Sequence, residues 1–242
     1  VIPAERHKSP DPRGGFTLIE LLVVIGCVAV LLSILLPSLS KARVTAKRVR
    51  CAYNLRQIYT GLCLYTQAYD EAYPCAQDPV GTNPTIWLWM GRGWRRLVDP
   101  YLGGHLDANN PSVLFCPEDR IARDKYESTS YAYSMCFYHS PEQIDAMATT
   151  ADSYRDPRPS VRCRTVQVAR PSNKILIGEW QSNHTRLQGD DPGWWQWAGS
   201  HNFVFADGQV LFLDANAIRP ARDGNPNPCL TVHGVQGIDY SR

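Results

Sequence analysis

The chain has 242 residues, 44% of them hydrophobic and 20% charged, enough to bury one sizeable core once an apolar N-terminal segment is set aside. Its 25 basic and 23 acidic side chains leave a net charge of +2, which excludes both the basic footprint of a nucleic-acid binder and a one-sign funnel for acidic substrates. One globular domain with an appendage is expected, with no nucleic-acid partner.

From Phe16 to Leu36 run 21 residues whose one charge is Glu20, enough helix to cross roughly 30 Å of hydrocarbon. The run is too long for a secretory h-region, and no small-residue cleavage site follows it. A plain stop-transfer anchor would explain the length and leave Glu20 without a reason. A carboxylate in a membrane helix costs several kcal/mol unless it finds a partner.

The leader VIPAERHKSPDPRGG ends in Gly15, Phe16 follows, and Glu20 is fifth counting from Phe16; Pro37 falls at position 22 of the same count. This pattern resembles the class III signal segment of bacterial type IV pilins and type II secretion pseudopilins. The resemblance implies that a membrane aspartyl prepilin peptidase cuts after Gly15 and methylates the new amino group of Phe16. It also implies that Glu20 neutralises the N-terminal ammonium of a neighbouring subunit in a filament, and that Pro37 bends the helix. Pairing the two charges offsets the desolvation each would bear alone, and so favours assembly in register. The basic residues Arg6, Lys8 and Arg13 precede the span, and Lys41, Arg43, Lys47, Arg48 and Arg50 follow it. That count alone would place the C-terminal part inside; the processing motif implies the opposite, a single-pass inner-membrane protein with a periplasmic domain.

Beyond Pro37 an amphipathic pattern continues. Leu39, Ala42, Ala46, Val49, Tyr53, Leu55, Ile58, Leu62, Tyr65 and Tyr69 recur at three- and four-residue spacing, which predicts one helix from about Phe16 to Tyr69, ended near Pro74. Four segments result: a leader (1–15), a membrane or filament-core helix (16–36), an amphipathic stem (37–73) and a globular domain (74–242). Tyr53, Tyr65 and Tyr69 read as core packing.

In the globular part, WRRLVDPYL predicts a short helix burying Trp94, Leu97 and Val98. VLFCPED (113–119) reads as a strand entering a turn, SYAYSMCFY (130–138) and NKILIGEW (173–180) as strands, and residues 140–173, with four prolines, as a surface excursion or partly mobile loop. NFVFADGQVLFL (202–213) reads as a hairpin around a two-residue Asp207-Gly208 turn. That register sets Phe205 opposite Val210, Val204 opposite Leu211 and Phe203 opposite Phe212. The hairpin resembles a C-terminal element of bacterial pilin-like proteins in which nine residues separate a His from Asp-Gly. Here His201 and Asp207 are separated by five, so no role is carried onto His201.

Catalytic motifs are not found: the chain has no HExxH, G-x-S-x-G, P-loop or G-x-G-x-x-G, and Asp207 and His201 read as turn and strand-end residues. The expectation is not an enzyme and no cofactor. LDANN (106–110), GDD (189–191) and DGNPNP (223–228) are oxygen-rich without calcium-loop spacing. No CxxC spacing points to zinc. Of eight cysteines, Cys27 is expected unpaired, Cys51 and Cys63 are too far apart along a helix to bond, and one or two disulfides are expected among Cys75, Cys116, Cys136, Cys163 and Cys229. Tryptophans at 87, 89, 94, 194, 195 and 197 read as core anchors, with a sugar-stacking platform as the rival.

The reading is an α+β, pilin-like subunit: a long N-terminal helix packed on a small, mostly antiparallel sheet, assembling in a type II secretion pseudopilus or related filament. Its expected partners are the prepilin peptidase, other pilin or pseudopilin subunits and the inner membrane. The rival is an inner-membrane-anchored protein that uses the signal for export and binds a carbohydrate or surface ligand.

Overall fold

The first structured element is α1, Leu18–Ala68, a single helix of 51 residues with Pro37 inside it. The computed structural model describes residues 17–75, 94–103, 113–119, 129–150, 152, 160–185 and 198–241. The chain divides between Val44 and Thr45 into two compact units.

In the first unit every side chain of α1 up to Leu36 is exposed, and this stretch is long and apolar enough to cross a membrane. Two of its hydroxyls are satisfied within the helix: Ser33 Oγ donates to the Val30 carbonyl at 2.7 Å and Ser38 Oγ to that of Leu35 at 2.8 Å. Pro37 has no N–H to donate, so the Ser33 carbonyl lacks its usual helical partner.

In the second unit α1 buries Cys51, Asn54, Leu55, Ile58, Gly61, Leu62, Tyr65 and Thr66, the three-and-four spacing of one helix face. This face is rotated from the expected stripe. Val49 and Tyr53 are exposed, on the side opposite Leu55 and Ile58, and Tyr69 stacks on Tyr65 with half its surface in solvent. The polar Asn54 completes the buried face, its amide donating to the Phe115 carbonyl at 3.1 Å. Gly61 lets Leu102 and Val98 approach; a Cβ there would lie 2.6 Å from Leu102 Cδ2. The helix closes when the Glu71 N–H bonds back to the Thr66 carbonyl (2.8 Å), with Asp70 in the left-handed region at φ 52°.

Trp94 and the short helix α2, Arg95–Val98, follow the expected pattern: Trp94 and Val98 are fully buried and Leu97 partly so. The turn expected within 113–119 is present, but the strand expected to lead into it is not: the segment is turns throughout. Cys116 N–H bonds Ser130 Oγ (2.9 Å), and the Asp119 N–H turns back to the Cys116 carbonyl (3.0 Å), and no strand ladder forms here among the described residues. A disulfide joins Cys116 to Cys51 of α1, with Cα atoms 5.3 Å apart. This corrects the expected cysteine set: the stem itself supplies one partner, and Cys75, Cys136, Cys163 and Cys229 are free thiols.

The sheet is four-stranded, antiparallel and in sequence order: β1 (Tyr131–Tyr133), β2 (Ile175–Glu179), β3 (Ser200–Phe205) and β4 (Val210–Asp214). The fold is therefore α+β. SYAYSMCFY is strand only over three residues, because Ser134 Oγ accepts the Cys136 N–H and donates to the Pro228 carbonyl (2.6 Å), turning the chain. The region 140–173 is no mere surface excursion. It contains α3, Pro141–Asp145, started by a Ser140/Gln143 capping box, and sends Ile144, Met147, Cys163 and Val168 into the core.

The hairpin register differs by one residue from the expected one: Val204 pairs Val210, Phe203 pairs Leu211 and Asn202 pairs Phe212. Only Gly208 has positive φ (86°), and the Gly208 N–H bonds the Phe205 carbonyl while Phe205 N–H bonds that of Gln209. This is the three-residue loop with a left-handed glycine bulge, not the two-residue primed turn. A one-residue change exchanges the faces of one whole strand. The tip packs on the stem: Tyr59 Oη donates to the Ala206 carbonyl at 3.2 Å, and a Cβ on Gly208 would lie 2.4 Å from the Tyr59 ring. Gly208→Ala is expected to lower stability by about 2 kcal/mol in urea unfolding of the detergent-solubilised chain. Part of that loss should disappear in a Tyr59→Ala background, a coupling that backbone strain alone would not produce.

Candidate functional site

Helix α1 begins with a reciprocal pair. Thr17 Oγ1 accepts the Glu20 N–H at 3.2 Å, while Glu20 Oε2 accepts the Thr17 N–H and the Thr17 hydroxyl, each at 2.8 Å. Thr17-Leu-Ile-Glu20 is thus a capping box that satisfies the first orphan donors of an apolar helix and puts a negative charge at its positive end. The T-x-x-E spacing is the sequence signal for this second role of Glu20. The Thr17 amide belongs to the peptide bond with Phe16, so the carboxylate is held one residue from the bond after Gly15 where cleavage is expected. Gly15 and Phe16 themselves lie outside the described residues. C-terminal to the pair, the exposed side chains from Leu21 to Leu36 form a cylinder that is apolar apart from Ser33, a surface that requires lipid or other helices around it.

The other singled-out residues fall elsewhere. Asp207 and Gly208 form the hairpin tip, with Asp207 Oδ1 accepting the Gln209 N–H (2.9 Å). His201 is buried in β3 with Nε2 3.3 Å from the Ala198 carbonyl, and it is not brought to Asp207. Glu179 does not meet Asp207 either: it sits at the end of β2 with Oε1 3.0 Å from His184 Nε2 and Oε2 accepting the Asn202 N–H (2.8 Å). His184 was not singled out by any motif. In DGNPNP the Asp223 carboxylate is taken up by Asn225 N–H and Asn227 Nδ2, a self-closed turn; LDANN and GDD lie outside the described residues. Trp94 is buried with Nε1 donating to the Tyr131 carbonyl (3.1 Å), an anchor rather than a platform, and the tryptophans at 87, 89, 194, 195 and 197 lie outside the described residues.

Two further features are structural. Burial pushes the Cys163 thiol up to about 12 and raises that of Cys229, which favours the protonated form of both. Lys174 is fully buried, with Nζ 3.1 Å from Asp239 Oδ2 and hydrogen-bonded to Thr231 Oγ1. Burial alone would depress its pKa, but the Asp239 carboxylate, helped by Cys136, holds it above the ordinary lysine value. Asp239 Oδ2 also accepts the Ile175 N–H (2.7 Å), tying the C-terminal segment to β2.

Residues 11–36 match the family model described as "Prokaryotic N-terminal methylation motif". The N-terminus is thus that of a type IV pilin-like precursor, and it suits a membrane-anchored protein. No curated protein and no solved structure matches the chain.

A lysine whose folded pKa exceeds its unfolded value contributes stability that is full below the unfolded value and lost as pH rises through the folded one. The Lys174 contribution should therefore be constant through neutral pH and fall only above about pH 10.5. Lys174→Met, which leaves Asp239 buried without its cation, should cost about 3–5 kcal/mol and remove that alkaline limb. Urea unfolding followed at pH 7 and pH 11 checks both.

Proposed function

We propose that the chain is a pilin-like structural subunit. It is cut by a prepilin peptidase after Gly15, methylated at Phe16, and assembled through its N-terminal helix in a type II secretion pseudopilus or type IV pilus-like filament. It passes the inner membrane once, with the globular unit on the periplasmic side. The observation that carries the reading is the methylation-motif match over residues 11–36, and the exposed apolar helix beginning at Leu18 supports it. Other pilin or pseudopilin subunits cover that helix in the filament, as lipid covers it before assembly. Glu20 supplies the charge that meets the ammonium of a neighbouring Phe16, and Pro37 adjusts the path of the helix through the bundle. The globular unit has a structural rather than catalytic role.

Intact mass and N-terminal sequencing of protein from native membranes should find a chain beginning at N-methyl-Phe16, and Gly15→Ala should remain uncut. An uncut wild-type chain would overturn the reading. Glu20→Ala should be cut and fail to enter filaments. Glu20→Gln separates the two roles of this side chain, since glutamine keeps the capping box and loses the charge. It should also be cut and fail to assemble; filament assembly by Glu20→Gln would reduce Glu20 to a cap.

A further inference from the structure

Around the Cys51–Cys116 pair the fold gathers two more metal-binding side chains, from segments far apart in sequence. Cys51 lies on α1, Cys116 in the 113–119 turns, Glu179 at the end of β2 and His184 in the turn after it. One donor atom from each lies within 4.8 Å of all the others. Cys51, Cys116 and Glu179 are completely buried, and so is the imidazole of His184.

A disulfide does not call for this company. It is an apolar link, and sealing a carboxylate and an imidazole beside it carries a desolvation cost that the bond does nothing to offset. The spacing suits a different occupant. Tetrahedral zinc with donors at about 2.0–2.3 Å sets its ligand atoms about 3.3–3.8 Å apart. His184 Nε2 already lies 3.3 Å from Cys116 Sγ and 3.0 Å from Glu179 Oε1. His184 Nδ1 has no partner among the described residues, so the polar contacts of the ring are made at Nε2, inside the cluster. The second carboxylate oxygen of Glu179 is fixed by the Asn202 N–H, the kind of outer contact that orients a ligand.

We propose that, with Cys51 and Cys116 as thiols, these four side chains form a closed, structural site for one zinc ion, bound through both thiolates, His184 Nε2 and Glu179 Oε1. Metal binding displaces the two thiol protons to solvent, and no change of oxidation state is involved. Disulfide and metal site are alternative occupants of one position, because bonded sulfurs are not thiolate ligands. Both tie the stem to the 113–119 segment; the metal adds the end of β2. Sequence spacing conceals the site, since the two cysteines are 65 residues apart and belong to no CxxC pair. The site does not depend on filament assembly.

The test uses the full-length chain in detergent, reduced with a phosphine, desalted without oxygen and supplied with zinc. One zinc per chain should survive a second desalting, and cobalt should give the intense visible bands of a tetrahedral thiolate site. Glu179→Gln and His184→Gln, which leave both cysteines in place, should each weaken zinc binding at least about tenfold. Their oxidised forms, melted alongside the wild type, serve as the folding control. Cys51→Ser/Cys116→Ser should retain no zinc, whereas Cys63→Ser/Cys75→Ser should retain it. Failure of the reduced wild type to hold zinc would overturn the proposal. So would equal retention by Cys51→Ser/Cys116→Ser, which would mean adventitious binding at the other cysteines, or full affinity in both Glu179→Gln and His184→Gln.

Discussion

Between Cys51 and Tyr65 the stem helix turns one face of side chains onto the sheet, and this burial is the constraint on which the globular unit depends. Leu55, Ile58 and Leu62 are each sealed from solvent, and burial of side chains of this kind is worth about 1.5–3 kcal/mol apiece. A four-stranded sheet with a first strand of three residues has little core of its own. The helix supplies one wall of that core and carries on, without interruption, into a stretch whose every side chain faces outward. One continuous backbone thus connects a soluble packing problem to an apolar one.

Local features were legible in the sequence, and long-range ones were not. The helix could be read because its apolar period persists over many turns, and the motif around Gly15, Phe16 and Glu20 because it is contiguous. β2 and the hairpin were visible as apolar runs bounded by turn residues. The hairpin register was misread because Asp-Gly serves two loop types, and the choice is fixed by how Gly208 meets Tyr59, 149 positions earlier in the chain. The buried stripe was misjudged for a similar reason: Asn54 is polar, yet the Phe115 carbonyl gives it a partner inside. Cys51, Cys116, Glu179 and His184 come together only through the tertiary fold.

Glu20 shows how one side chain can serve two states of a chain. In the isolated subunit its carboxylate closes the first turn of α1 through Thr17. In the proposed filament the same carboxylate would turn to a neighbour's ammonium, so the capping bonds are what a subunit exchanges for its place in the bundle. A neutral cap could start the helix equally well, but it would offer a neighbour nothing to register against.

The link between Lys174 and Asp239 bears on how the chain comes into being. Lys174 precedes β2 by one residue, in the interior, whereas its counter-ion Asp239 lies 65 residues further along the chain, beyond β4. During synthesis the sheet therefore contains an ammonium without this counter-ion until Asp239 has emerged. Packing around Lys174 waits on the segment that carries Asp239, and a product that stops before it keeps a buried charge that favours opening. Such fragments open more readily, and opened chains are the ones that proteases cut.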